Sequence, residues 1–195
     1  SAMQQATVQL GKLGVQSIVN SMGVFVSAAF AAVNRIDDFA YMPQQNIAHA
    51  MTALMAQNKG AKKTDRIKAA FRCGMKIELF YGIFIFFVCF FLAHPLMQLF
   101  SNDPVVCKHG VTYLKLISLM YLFPAVTNGV QGYFRGIGDL KITLISSFVN
   151  MSVRVIFAAV LVFHFSLQIE ALPFSYLAGW IGMLLAEVPL LLRKF

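Results

Sequence analysis

Hydrophobic and polar positions divide the chain into six apolar segments, at about 13–33, 39–57, 73–93, 111–134, 140–165 and 171–192. At about 1.5 Å of rise per helical residue, each is long enough to span roughly 30 Å of hydrocarbon. Four of them also carry a polar row at steps of three and four, the signature of one face of a helix. The rows are Gln16, Asn20, Gly23 and Ser27 in the first segment, and Asp38, Met42, Gln45, His49, Thr52 and Ala56 in the second. In the fourth they are Tyr121, Asn128, Gln131 and Arg135, and in the fifth Thr143, Ser147, Asn150 and Arg154. The third segment is rich in phenylalanine all round, which predicts contact with lipid on much of its surface. The sixth offers Gly179, Gly182 and Ala186 for close helix contact.

The stretch from Arg35 to Arg72 organises the rest. It reads as a helix too polar for an ordinary span, followed by a basic turn. Pro43 removes the amide that would bond to the Phe39 carbonyl, so a bend or break is predicted there. Polar side chains and broken backbone at membrane depth are tolerated where they face protein or water, which predicts that this helix lines a cavity. The converging rows give a candidate cleft of Gln16, Asn20, Gln45, His49, Thr52, Tyr121, Asn128, Gln131, Asn150 and Arg154. Such residues also link helices by hydrogen bonds worth ~0.6 kcal/mol each, and Ser17, Ser21 and Ser146 read that way. Arg154 differs, because a lone cation at mid-membrane costs ~3 kcal/mol or more and demands a partner. Lys115 and Glu187 lie near segment ends, where they read as structural, and Glu78 reads as ion-paired with Lys76 or Arg72. Asp37 and Asp38 fall at the outer end of the second segment.

Composition fixes the class. The chain is 58% hydrophobic and 12% charged, about half the charged fraction of a soluble domain, which makes it an integral membrane protein. The net charge of +8 therefore reports topology and not a nucleic-acid partner. With six spans, eleven basic residues from Lys12 to Lys194 fall on one side and only Arg35 and Lys108 on the other. That bias places both termini in the cytoplasm of a multi-pass protein, in a bacterial inner membrane or a plasma membrane. Residues 1–12 read as a cloning scar, Ser1-Ala2-Met3, with a cytoplasmic lead-in, and 13–195 as the transmembrane unit. Cys73, Cys89 and Cys107 have no metal-ligand spacing and read as packing residues. Four scattered histidines offer no HExxH pair or Ser-His-Asp grouping, so no enzyme is predicted.

Five blocks in this order, QSIVNSMG, AAVNRIDDFAYMP, AMTALMAQNKGAKKTDR, LFSND and GYFRGIGD, resemble the multidrug and toxic compound extrusion (MATE) family. The resemblance implies an all-α polytopic protein whose six transmembrane helices form one lobe, the C-terminal half, of a twelve-helix transporter. It further implies export of cationic or amphipathic drugs by antiport against protons or sodium ions, with no other cofactor. The partners implied are membrane lipid and either the missing N-terminal lobe or a second copy of this one. One branch of the family carries a coupling glutamate in the first helix of this lobe; this chain departs from it, having Gln16 and Asn20 and no acid. The alternatives weighed against drug antiport are a lipid-linked saccharide flippase of related architecture and a non-transporting membrane scaffold. A flippase needs a strongly cationic cavity, and the sequence offers Arg154 as the one deeply placed cation.

Overall fold

The structure is a computed structural model that describes residues 2–194, with side chains from residue 6 onward. It is all-helical, with no strand among the described residues. The elements are α1 (Ala2–Ser21), α2 (Val24–Gly60), α3 (Thr64–Phe91), α4 (Ala93–Gln98), α5 (Pro104–Ser118), α6 (Leu122–Gly136), α7 (Leu140–Phe163) and α8 (Ala171–Lys194).

The first two segments are divided differently from the sequence expectation. Residues 2–12 are helical and continuous with the rest of α1, and the chain turns at Met22–Gly23 instead of between 33 and 39. Gly23 has φ 104°, a conformation that side-chain-bearing residues rarely adopt. From there α2 runs 37 residues, about 55 Å at 1.5 Å per residue, straight through Arg35, Asp37 and Pro43. Pro43 therefore costs α2 one backbone bond without ending it. The basic turn is shorter than the stretch 59–72. Only Ala61–Lys63 leave the helical path, with Lys62 at φ 56°, and α3 already begins at Thr64.

The remaining boundaries follow local chemistry. Asp103 caps α5 by accepting bonds from the Val105 and Val106 amides at 2.8 and 3.1 Å, and Pro104 takes the first helical position. The fourth segment is two helices, α5 and α6, meeting at a bend of 52°. Tight backbone bonds from Met120 to Ile117 and from Tyr121 to Ser118 make that bend.

Three helices, α3, α7 and α8, are long and apolar enough to cross a membrane, and the bent α5–α6 pair passes as a fourth. α1 and α2 fall short of that measure because they carry much of the polar lining described below. Phe80, Phe84, Phe87 and Phe91 are exposed along α3, as its composition predicts for a lipid-facing surface.

α2 and α6 meet backbone to backbone. A side chain on Gly132 would meet the Ala48 carbonyl oxygen at 2.9 Å, and Thr52 donates to both Ala48 O at 2.8 Å and Gly132 O at 3.2 Å. Small residues here let two backbones touch. α1 lies instead on α7, with Gly11 against Met151 and Gly14 against Val155, and α7 packs along α8 through Gly179 and Gly182.

Gly132→Val should lower the thermal stability of the detergent-solubilised protein by about 1–3 kcal/mol, since backbone cannot yield as a side chain does. Gly182→Ala, whose added methyl meets Val149 and Val153 at ordinary contact distances of 3.4 and 3.6 Å, should leave the melting temperature nearly unchanged. Equal losses in the two variants would show that the α2–α6 contact is not the tight one.

Candidate functional site

A cleft of about 840 Å³ opens between α1 and α2, with α6, α7 and α8 forming its remaining walls. It is lined by Gln16 of α1, by Asn34, Asp37, Asp38, Tyr41, Met42, Gln45 and His49 of α2, and by Thr127, Asn128, Gln131 and Arg135 of α6. α7 adds Ser147, Asn150, Met151 and Arg154, and α8 adds Tyr176, Trp180 and Met183.

Of the residues expected in a cleft, Gln16, Gln45, His49, Asn128, Gln131, Asn150 and Arg154 lie on its walls. Asn20, Thr52 and Tyr121 do not. Asn20 is exposed at the end of α1 and accepts a bond from Gln16 Nε2 at 2.8 Å. Thr52 is turned toward α6 by the two bonds already described. Tyr121 is fully buried behind the wall, where its hydroxyl donates to Asp37 Oδ1 at 2.5 Å.

That bond overturns the expected position of Asp37. The residue is not at a helix end but in the interior of α2, only 4% exposed. Tyr41 meets Tyr121 edge to face at 5.5 Å, and Phe30 stacks on Tyr113 at 5.8 Å in the same layer. Arg154 enters this layer from α7 with its guanidinium over the Tyr176 ring, which in turn meets Trp180 at 6.1 Å. Arg154 and Asp37 are close enough to attract one another yet form no contact within 4.0 Å. The partner that Arg154 demanded is thus an aromatic face plus a nearby carboxylate. Its Nε has no hydrogen-bond partner among the described residues.

A second polar group lies toward the Gly60–Thr64 turn. Glu187 was expected near a helix end as a structural group, but it is 0% exposed inside the bundle and accepts from Ser146 Oγ at 2.6 Å. Gln131 donates to Ser147 Oγ at 3.3 Å, and Arg135 lies near enough to attract Glu187. At the rim below, Lys194 pairs with Asp139 and Lys59 donates to the Ile137 carbonyl. Glu78 departs from expectation as well: it forms no ion pair with Lys76 or Arg72 and is buried between helices, because the inward face of α3 carries it away from those exposed cations.

Sequence reasoning missed Asn34, Asp37, Tyr41, Tyr176 and Trp180. The signal for Asn34 was present, since extending the row of Asp38, Gln45 and His49 one turn back reaches it. Nothing in the sequence singled out Tyr176 and Trp180, which look like ordinary members of an apolar helix.

Arg154 and Asp37 oppose one another across an aromatic layer, while Lys12, Arg135 and Asp38 add further charge of both signs to the walls. Such a surface can hold an organic ion by stacking and charge together. Among the described residues no group of three metal-ligating side chains is assembled.

Comparison with known proteins accords with this architecture. The family model MatE matches residues 1–160. The chain is 24% identical over 185 residues to a probable multidrug resistance protein NorM of Thermotoga maritima, covering 94% of this chain and 38% of that protein. It is 26% identical over 121 residues to an FAD transporter of Shewanella oneidensis, covering 60% of this chain and 27% of that one. An outward-facing multidrug resistance MATE family transporter of the MOP superfamily superposes with a TM-score of 0.92 at 12% identity, over 98% of this chain and 43% of that one. The chain therefore spans less than half the length of the proteins it matches.

Tyr121→Phe should leave the buried Asp37 carboxyl without its donor and destabilise the protein by about 1–3 kcal/mol, read as a lower melting temperature. Single cysteines at Gln45, His49 and Asn128, in membranes, should react with polar thiol reagents, whereas cysteines at Phe84 and Phe87 should not. Equal labelling of the two sets would contradict a wet cleft.

Proposed function

The chain belongs to the MatE family, and from that premise we propose that it is one lobe of a multidrug exporter, crossing the membrane six times with both termini in the cytoplasm. In this reading its cleft binds cationic or amphipathic organic molecules and passes them across the membrane in exchange for protons or sodium ions. The observation that carries the proposal is the cleft itself: a large space walled by polar faces of α1, α2, α6 and α7, with Asp37 and a layer of tyrosines at mid-depth. A flat aromatic cation fits such a site, because its rings stack on Tyr41, Tyr176 and Trp180 while its charge is drawn to Asp37 and Asp38.

Two further features support a partner lobe. Alternating access by rocking needs two bundles closing on one site. The cleft also leaves polar side chains open on one flank, where contact with lipid would be costly. A second lobe, or a second copy of this chain about a two-fold axis, would cover that flank. In this arrangement Asp37 is the residue best situated to exchange a proton or sodium ion for the drug, because it is the buried acid nearest the aromatic layer.

A second reading rests on the cations. Lys12 and Arg135 join Arg154 on the walls, so the cleft is more basic than the sequence alone suggests. A phosphate-bearing substrate such as a flavin dinucleotide, or a lipid-linked saccharide, would use those three residues in place of the two acids.

Binding separates the two. Purified protein in lipid should bind an aromatic cation such as ethidium, and Asp37→Asn should weaken that binding tenfold or more, about 1.4 kcal/mol. Tight binding of flavin adenine dinucleotide instead, lost in Arg154→Gln and kept in Asp37→Asn, would favour the second reading. For coupling, vesicles holding this chain alone as a monomer should show no gradient-driven dye uptake. Uptake should appear only when a second lobe or a dimer is present, and uptake by a measured monomer would overturn the two-lobe requirement.

A further inference from the structure

Away from the cleft, the junction of α2, α3 and α6 buries polar groups that the transport reading does not use. α2 presents Ala40, Gln44, Ala48, Met51 and Met55 there as one buried row, and α3 presents Ile67, Ala70, Gly74, Glu78 and Gly82. The two helices run antiparallel, with Met51 over Gly74 and the Tyr81 hydroxyl donating to Ala40 O at 3.1 Å. This register brings Gln44 and Glu78 to one level. α6 closes the same level with Gly129, where an added side chain would meet Met75 and, at 3.9 Å, Glu78 Cγ. Gln44 and Glu78 are each 0% exposed, and all four of their side-chain oxygen and nitrogen atoms lack a hydrogen-bond partner among the described residues.

No counter-charge reaches this level. Lys76 and Arg72 of α3 point outward, and Glu78 has no cation within 4.0 Å among the described residues. The titratable groups on the packed faces are Tyr81, committed to Ala40, and Tyr133 of α6, one turn from Gly129 and packed on Phe71. Asp37 of α2 lies two turns away, bonded to Tyr121. An ionised carboxylate among these neighbours would be unpaired in low dielectric, and the Gln44 oxygen would face it without a donor. A single proton changes that. Once the two side chains turn toward one another, the carboxylic acid O–H can donate to Gln44 Oε1 while Gln44 Nε2 donates to the other carboxyl oxygen, so one closed ring of two hydrogen bonds engages all four atoms.

We propose that Glu78 and Gln44 form a proton-binding site separate from the cleft, occupied while α2 is packed on α3 and α6. The site needs no particular substrate and stands whichever molecule the cleft carries. Packing of these three helices is thereby tied to one proton, because parting them lets water reach the carboxyl and takes away the amide.

Infrared spectroscopy of the chain in lipid vesicles at neutral pH tests this directly. A protonated-carboxyl C=O band should be present, vanish in Glu78→Gln, and move to higher frequency in Gln44→Leu as the amide donor is lost. Glu78→Gln conserves shape, and Gln44→Leu provides a second reporter that keeps the carboxyl in place should the first variant fold poorly. Asp37 and Glu187 contribute equally to all three spectra and cancel in the differences. Absence of any protonated-carboxyl difference between the wild type and Glu78→Gln would overturn the proposal, as would a Gln44→Leu band that does not move.

Discussion

The bond from the Tyr121 hydroxyl to the Asp37 carboxylate is the contact on which the mid-depth layer depends. Withdrawing a carboxylate from water costs several kcal/mol, which α2 incurs in its interior and not at an end. The donor that offsets part of this cost sits in the three-residue joint between α5 and α6. The bend is therefore not a free hinge. Its position fixes where Tyr121 points, and the carboxylate in turn holds the joint against α2. Tyr41 packs edge to face on Tyr121, and Phe30 and Tyr113 belong to the same apolar cluster.

Arg154 shows a different balance. Stacking over Tyr176 contributes roughly 0.5–2 kcal/mol, which is less than the cost of stripping water from a guanidinium. Neither the ring nor Asp37, which attracts it without touching it, completes its solvation. The remainder must come from the lumen of the cleft, through water or through a bound molecule. A charge held this way is kept ready, since the groups that orient it are apolar and the side left open faces the space a ligand would enter.

The helical class, the polar rows and seven of the residues on the cleft walls were legible because helical periodicity survives any error in element boundaries. The boundary between α1 and α2 was not legible, and for a physical reason. Charged residues such as Arg35, Asp37 and Asp38 ordinarily mark the end of a membrane helix, whereas Met22–Gly23 lies in an apolar run with no proline or charge. Here Asp37 is received by Tyr121 and Asp38 by the cleft, Arg35 stays on an exposed face of the same helix, and a glycine alone carries the turn. Glu78 and Glu187 were misread by the same logic. Nearness in sequence to basic residues suggested an ion pair for Glu78, and nearness to a segment end suggested a structural role there for Glu187, but the face of α3 or α8 on which each carboxylate stands decides its surroundings. Tyr176 and Trp180 could not be found from one sequence, because an aromatic beside a cation is known only after α7 and α8 have been packed.

The backbone contact of Gly132 with Ala48 has a mechanical meaning. Where two helices meet through main chain, with Thr52 bonded across the seam, no layer of side chains remains to shear, so α2 and α6 behave as one girder. α1 is attached differently, lying on α7 and joined to α2 through the turn at Gly23, where the space beside the glycine is empty, and through the bond from Ser27 Oγ to the Val19 carbonyl at 3.2 Å. The cleft thus runs between a stiff beam and a panel of α1 and α7, held to the beam by the Gly23 joint and by the seating of α8 on α6. Its width is set by the angle of that panel, so a molecule entering it would spread the lobe along this line before disturbing any helix within the girder.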